Sequence, residues 1–258
     1  MHTIDMQKGS EEFAKCWRAA GVHLQNQAQG PLRSLLKATL GPPFLEHLSF
    51  RLGNQLFFIR LEDVDGELVV PGTLSGLFWI ADGCKGHPCI LPMRKSSGEW
   101  SADRTGWGLV HARTGQKVEP PALITDELIE MTDWEVHAFA VQVVRQQLEK
   151  GGRQLMSWQG NPFVDPSLWL VGDNGPEWVV VRAVRYPRIR ADVPDNWNNI
   201  AASCAGVGKT GHFASVSVGN SNDPFEPTET QPGTSLWRGH ALFANYTGLE
   251  KIDPPAAD

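Results

Sequence analysis

A chain of 258 residues is long enough for one large domain or two small ones, and long enough to bury a substantial core. With 41% hydrophobic and 20% charged residues it has the make-up of a folded globular protein, and it has no apolar run of the roughly 20 residues needed to insert in a membrane. A net charge of -6 argues against a broad electrostatic grip on nucleic acid. Four cysteines without a disulfide framework and a start, MHTIDMQKGSEEFAK, without a secretory apolar region lead to the expectation of a cytoplasmic protein.

Residues 1–30 are polar and Gln-rich with a short helical piece near 11–20, and are expected to form a flexible N-terminal arm. A first α+β unit is expected over 31–115. Apolar residues at helical spacing over 32–40 stop at Gly41-Pro42-Pro43, and a hairpin over 48–61 turns at Gly53-Asn54. A strand at 68–70 follows, then a helix capped by Thr73, then strands at 88–93 and 108–112. The Pro-containing stretch within 116–124 reads as a linker.

A second unit is expected over 125–248, with a tail at 249–258. A turn of helix over 126–131 precedes Thr132-Asp133-Trp134-Glu135, which has the form of a capping box; a long helix starts there and ends at Gly151-Gly152. A strand over 153–158 comes next. Two apolar, β-branched arms, 168–171 and 178–186, flank Gly172-Asp173-Asn174-Gly175-Pro176 and read as a hairpin. Val179, Val180 and Val181 run without polar alternation, so this arm belongs in the middle of a sheet covered on both faces. Arg182 then needs a carboxylate, with Asp165 and Glu135 the candidates. A short helix over 196–204 and strands at 212–218 and 241–246 complete the unit.

Each half therefore reads α, three β, α, two β, and short echoes recur in order. Ile80-Ala81 with Cys84 and Gly86-His87 is matched by Ile200-Ala201 with Cys204 and Gly211-His212. DGELVV over 65–70 is matched by GPEWVV over 175–180, and GLVHARTG over 108–115 by ALFANYTG over 241–248. The expected fold is α+β: two related αβββαββ units, each a mainly antiparallel sheet covered by helices.

Local motifs carry little chemistry. SCAGVGKT over 203–210 lacks the first glycine of a phosphate-cradling loop and reads as a Gly-rich turn. Cys84, His87 and Cys89 lack the second spaced pair that zinc requires, and read as buried thiols beside a strand-end histidine. No GxSxG nucleophile occurs, and most of the ten tryptophans fall in core-like runs.

The helix bearing Glu135, the strand preceded by Asp165, the hairpin and the basic residue Arg182 resemble the core of the PD-(D/E)XK nuclease family over 125–220. That resemblance implies a metal-dependent nuclease with Glu135, Asp165, Glu177 and Arg182 as its site. Val180 stands where the family carries its second acid, and arginine where it carries lysine. The αβββαββ order is also similar to the small chaperones of type III secretion, in tandem, which implies protein binding without cofactor, metal or catalysis. The expected function is non-catalytic binding of another protein, chaperone-like, inhibitory or regulatory, with a secretion or transfer machine as its expected setting. The nuclease is the alternative.

Overall fold

The computed structural model describes residues 10–28, 47–224 and 233–252. The expected helix over 32–40 lies outside them. The chain divides into two compact units, Met1–Glu127 and Leu128–Asp258.

The first unit opens with helix α1, Glu11–Gln27, whose first turn is capped by the Ser10 side chain accepting from the Phe13 amide. Phe13, Cys16, Trp17, Ala20 and Leu24 recur at helical spacing and are buried against the sheet. Over residues 10–28 this corrects the expectation of a flexible arm, and the rest of 1–30 lies outside the described residues: a short apolar stripe inside a polar stretch suffices once a sheet is there to receive it. Trp17 is fully buried, and truncating it to alanine would cost roughly 3–5 kcal/mol.

Strands β1, Leu48–Leu52, and β2, Gln55–Asp63, form the expected hairpin. Helix α2, Leu74–Gly83, is capped by Thr73, as expected. It leads to β3, His87–Ser96, which lies parallel to β2. β4, Glu99–Ala102, turns back on β3, and the short β5, Val110–His111, pairs with the start of β3. The sheet order is β1-β2-β3-β4.

The strand expected at 68–70 is absent. β2 already has β1 and β3 on its two sides, and Asp63 accepts hydrogen bonds from the amides of Asp65, Glu67 and Leu68, which winds this stretch into a turn. The expected linker over 116–124 belongs to this unit as well: Val118 is buried in its core, and Asn54 bonds Thr125 and the Glu127 carbonyl.

The second unit begins with α3, Asp133–Lys150, started by the expected capping box of Thr132 and Glu135. The turn of helix expected over 126–131 does not form. Those residues are extended, with the Met131 amide donating to the Leu236 carbonyl and the Arg238 amide to that of Ile129. The strands are β6, Leu155–Trp158, β7, Leu168–Gly172, and β8, Gly175–Arg185. Helix α4, Trp197–Cys204, leads to β9, Thr210–Asn220, then β10, Leu242–Tyr246, and β11, Glu250–Lys251, which takes these two residues of the expected tail into the sheet. The order is β10-β9-β8-β7-β6, with β8 and β9 parallel.

β8 is central and covered on both faces, as its valine run requires. Val179 and Val181 join α3 in one core, while Trp178, Val180 and Val184 join α4 in another.

The fold is α+β, and the two units share a plan: a helix, an antiparallel hairpin, a crossing helix, a strand parallel to the hairpin's second arm, and an antiparallel strand beyond it. Among the described residues the first unit shows no counterpart of β6. Cys84, which follows α2, and Cys204, which ends α4, hold corresponding places, and both are buried. The other two echoes are out of frame. The pairs Phe57↔His87 and Val179↔His212 make Gly53–Arg60, GNQLFFIR, the counterpart of Gly175–Arg182, GPEWVVVR, in place of residues 65–70. Similarly, β5 corresponds in its pairing to β11, so residues 108–115 do not match 241–248.

Candidate functional site

The second unit contains all four residues of the nuclease resemblance, and their carboxylates fall into three separate ion pairs. Asp165, just before β7, faces Arg182 in β8: Nη1 donates to Oδ1 at 2.9 Å and Nη2 to Oδ2 at 2.6 Å, a two-pronged pair. Arg182 Nη1 also donates to its neighbour's carbonyl, Val181 O, at 2.9 Å. Of the two candidate partners for Arg182, Asp165 is the one the fold supplies.

Glu135 is held elsewhere. Its carboxylate accepts from the Thr132 amide at 2.9 Å, and from Arg238 Nε and Nη2 at 2.9 Å each. The Arg238 and Glu135 side chains are 1% and 2% exposed, which makes this the most deeply buried ion pair among the described residues. Arg238 carried no signal in the sequence, because it follows a polar loop and lies 103 residues from its partner.

Glu177, at the start of β8, accepts from Arg153 and from His212 Nε2, the latter at 3.0 Å. Burial pushes its pKa up, but the hydrogen bonds from His212 and Arg153 outweigh burial and hold the carboxyl below the ordinary value. The first unit repeats this contact without charge. His87 Nε2 bonds Gln55 Oε1 at 3.0 Å, and Gln55 and His87 correspond to Glu177 and His212 in strand register.

His137, on α3, has a buried Nε2 without a partner among the described residues. Burial, aided by the charge of Arg182 and opposed by Asp165, lowers its pKa to about 4, so the ring is neutral at pH 7.

All four cysteines are free and buried. Burial pushes Cys89 up to about 12 and raises Cys204 as well. His87, the third member of the Cys84–Cys89 cluster, bonds Gln55, and among the described residues no group of three or more His, Cys, Asp and Glu side chains could hold a metal ion.

The Gly-rich segment over 203–210 joins the end of α4 to the start of β9, whereas a phosphate loop runs from a strand into a helix N-terminus. Its glycine is needed for packing: a Cβ on Gly208 would lie 2.1 Å from the Pro176 carbonyl oxygen, and Trp178 Nε1 donates to Gly208 O at 3.1 Å.

Two grooves occupy corresponding places in the two units. In the second, a cavity of about 380 Å³ lies between α3 and β10, lined by Val143, Gln147, Ala244 and Tyr246 among others. In the first, a cavity of about 550 Å³ lies between α1 and β4, lined by Arg18, Ala19, Val22, Trp100 and Ala102 among others. β10 and β4 each stand at one end of their strand order, so each groove runs beside an outer strand.

Residues 134–252 match the model of a domain of unknown function, DUF8840. The match starts one residue inside α3 and ends just past β11, so it coincides with the second unit. No curated protein and no solved structure matches the chain. None of the helices among the described residues is long and apolar enough to cross a membrane.

Proposed function

We propose that this chain is a non-catalytic protein-binding protein that takes an extended segment of its partner as an added strand on β10, on β4, or on both. The observation that carries this reading is the repeated groove between the long helix and the outer strand of each unit. An outer strand offers backbone amides and carbonyls along its open side, and a groove beside it receives alternate side chains of the incoming segment. The three ion pairs at Glu135, Asp165 and Glu177 favour binding over metal chemistry, since each carboxylate is already neutralised. The chaperone-like order suggests a component or cargo of a secretion or transfer machine as the partner.

A photo-crosslinking residue at Gln147 or Asn26, both exposed on the groove-lining helices, tests this in the native host, with Asp173 in the β7–β8 turn as control. Protein adducts are expected at the groove positions and not at Asp173, and they should disappear when Val143→Arg fills the second groove and Ala19→Arg the first. Equal labelling at all three positions would contradict the reading.

A metal-dependent nuclease is the second reading, favoured by Asp165 just before β7, paired with Arg182 of β8. Cleavage of DNA with magnesium or manganese that is lost in Asp165→Ala would support it over the first.

A further inference from the structure

Two buried polar atoms of the first unit, Nε2 of His47 and Nη1 of Arg60, have no hydrogen-bond partner among the described residues. They belong to neighbouring side chains. One step beyond the pair Leu48↔Ile59, the register of β1 and β2 sets His47 opposite Arg60. The His47 ring packs edge-on against Phe58, which shares a strand face with Arg60, at 5.8 Å between centroids.

The second unit explains what is missing. Carried outward from Leu168↔Val179, the register of β7 and β8 sets Asp165 opposite Arg182, and there the carboxylate meets the guanidinium through two hydrogen bonds. Arg60 corresponds to Arg182 in the shared plan, so His47 stands where the second unit has Asp165. The serine that follows two residues later is also repeated, as buried Ser49 and Ser167. Burial lowers the pKa of His47 to about 4, so its ring brings no negative charge and can donate from Nε2. Among the described residues the side chain of Arg60 makes one hydrogen bond, a long one from Nη2 to Val70 O at 3.4 Å. This half-buried guanidinium has no ion pair among the described residues, whereas its counterpart Arg182 has one with Asp165.

We infer that His47 and Arg60 form a binding site for one carboxylate, supplied by a ligand that does for Arg60 what the Asp165 carboxylate does for Arg182. A single guanidinium with one neutral donor matches a monoanion better than a phosphate dianion, which would keep an uncompensated charge. The carboxylate can come from a small organic acid or from an acidic side chain of a bound protein. This inference stands apart from the groove reading, since it concerns the face of β2 covered by α2 and not the α1–β4 groove.

Thermal unfolding of the full chain at pH 7 provides the test, with acetate titrated against chloride at equal ionic strength, and with acetyl-Gly-Asp-Gly-amide as a second probe. Acetate or the peptide is expected to raise the melting temperature of the wild type in a saturating manner. His47→Asp should raise it without any ligand, by restoring the internal pair, and should abolish the response to both probes; Arg60→Gln should abolish the response too. Saturation by the peptide at lower concentration than acetate assigns the carboxylate to a protein partner, and the reverse order assigns it to a small acid. No carboxylate-specific rise in the wild type, or a rise that persists in His47→Asp, would overturn the inference, and the latter variant decides even if Arg60→Gln does not fold.

Discussion

Removing Arg238 should damage the second unit more than any other single surface-to-core charge change. Arg238 and Glu135 are 1% and 2% exposed, and two hydrogen bonds at 2.9 Å join them. With Arg238→Ala, Glu135 keeps only its Thr132 contacts at the start of α3, and a buried carboxylate is left without its cation. Breaking such a pair from one side costs roughly 3–5 kcal/mol. In a unit of this size that corresponds to a fall of roughly 10–20 °C in its melting temperature. Glu135→Gln with Arg238→Met removes both charges together and should recover most of the loss, because the desolvation of two ions disappears with their attraction. Urea unfolding of the wild type, Glu135→Gln, Arg238→Met and the double variant, read with hydrogen exchange of the α3 amides, gives the four corners of the double-mutant cycle. If the two single losses simply add in the double variant, or if Arg238→Ala is as stable as the wild type, the pair is not what holds the start of α3 to residues 236–238.

Three further outcomes follow from the same structure. His137 has its pKa lowered to about 4 in the folded state against about 6.5 when unfolded, so the unfolded chain binds the extra proton between those values. Stability of the second unit should therefore be fully present above pH 6.5 and decline toward pH 4, by on the order of 3 kcal/mol, and His137→Phe should flatten that slope in pH-dependent urea titrations. Gly208→Ala would force a Cβ to within 2.1 Å of a backbone oxygen, and is expected to cost about 2 kcal/mol or more; a variant with an unchanged urea midpoint would contradict the close approach of this turn to Pro176. Asp165→Ala should destabilise by roughly 3 kcal/mol by stranding Arg182, whereas Arg182→Met should be better tolerated because its stem still packs; equal losses in chemical unfolding would argue against the pairing.

What the sequence determined by itself is local. The capping box at Thr132, the cap at Thr73, the turns at Gly53-Asn54 and over 172–176, and the central place of the valine run in β8 all follow from residues within a few positions of one another. Asp165 as partner of Arg182 was also within reach, since a hairpin arm and its preceding residue lie close in the chain. The tertiary structure alone decided which strands share a sheet. The apolar stretch over 68–70 has the composition of a strand but meets no open neighbour beside β2, and the polar stretch over 11–27 becomes a core helix because a sheet face is there to bury Trp17. The frame of the internal repeat was hidden for the same reason. Correspondence between the units is set by hydrogen-bonded register, which aligns Gly53–Arg60 with Gly175–Arg182, while similar letters at 65–70 serve a turn. Arg238 reaches Glu135 across 103 residues, and His47 comes to lie opposite Arg60, because backbone pairing brings them together; neither contact leaves a trace in local composition.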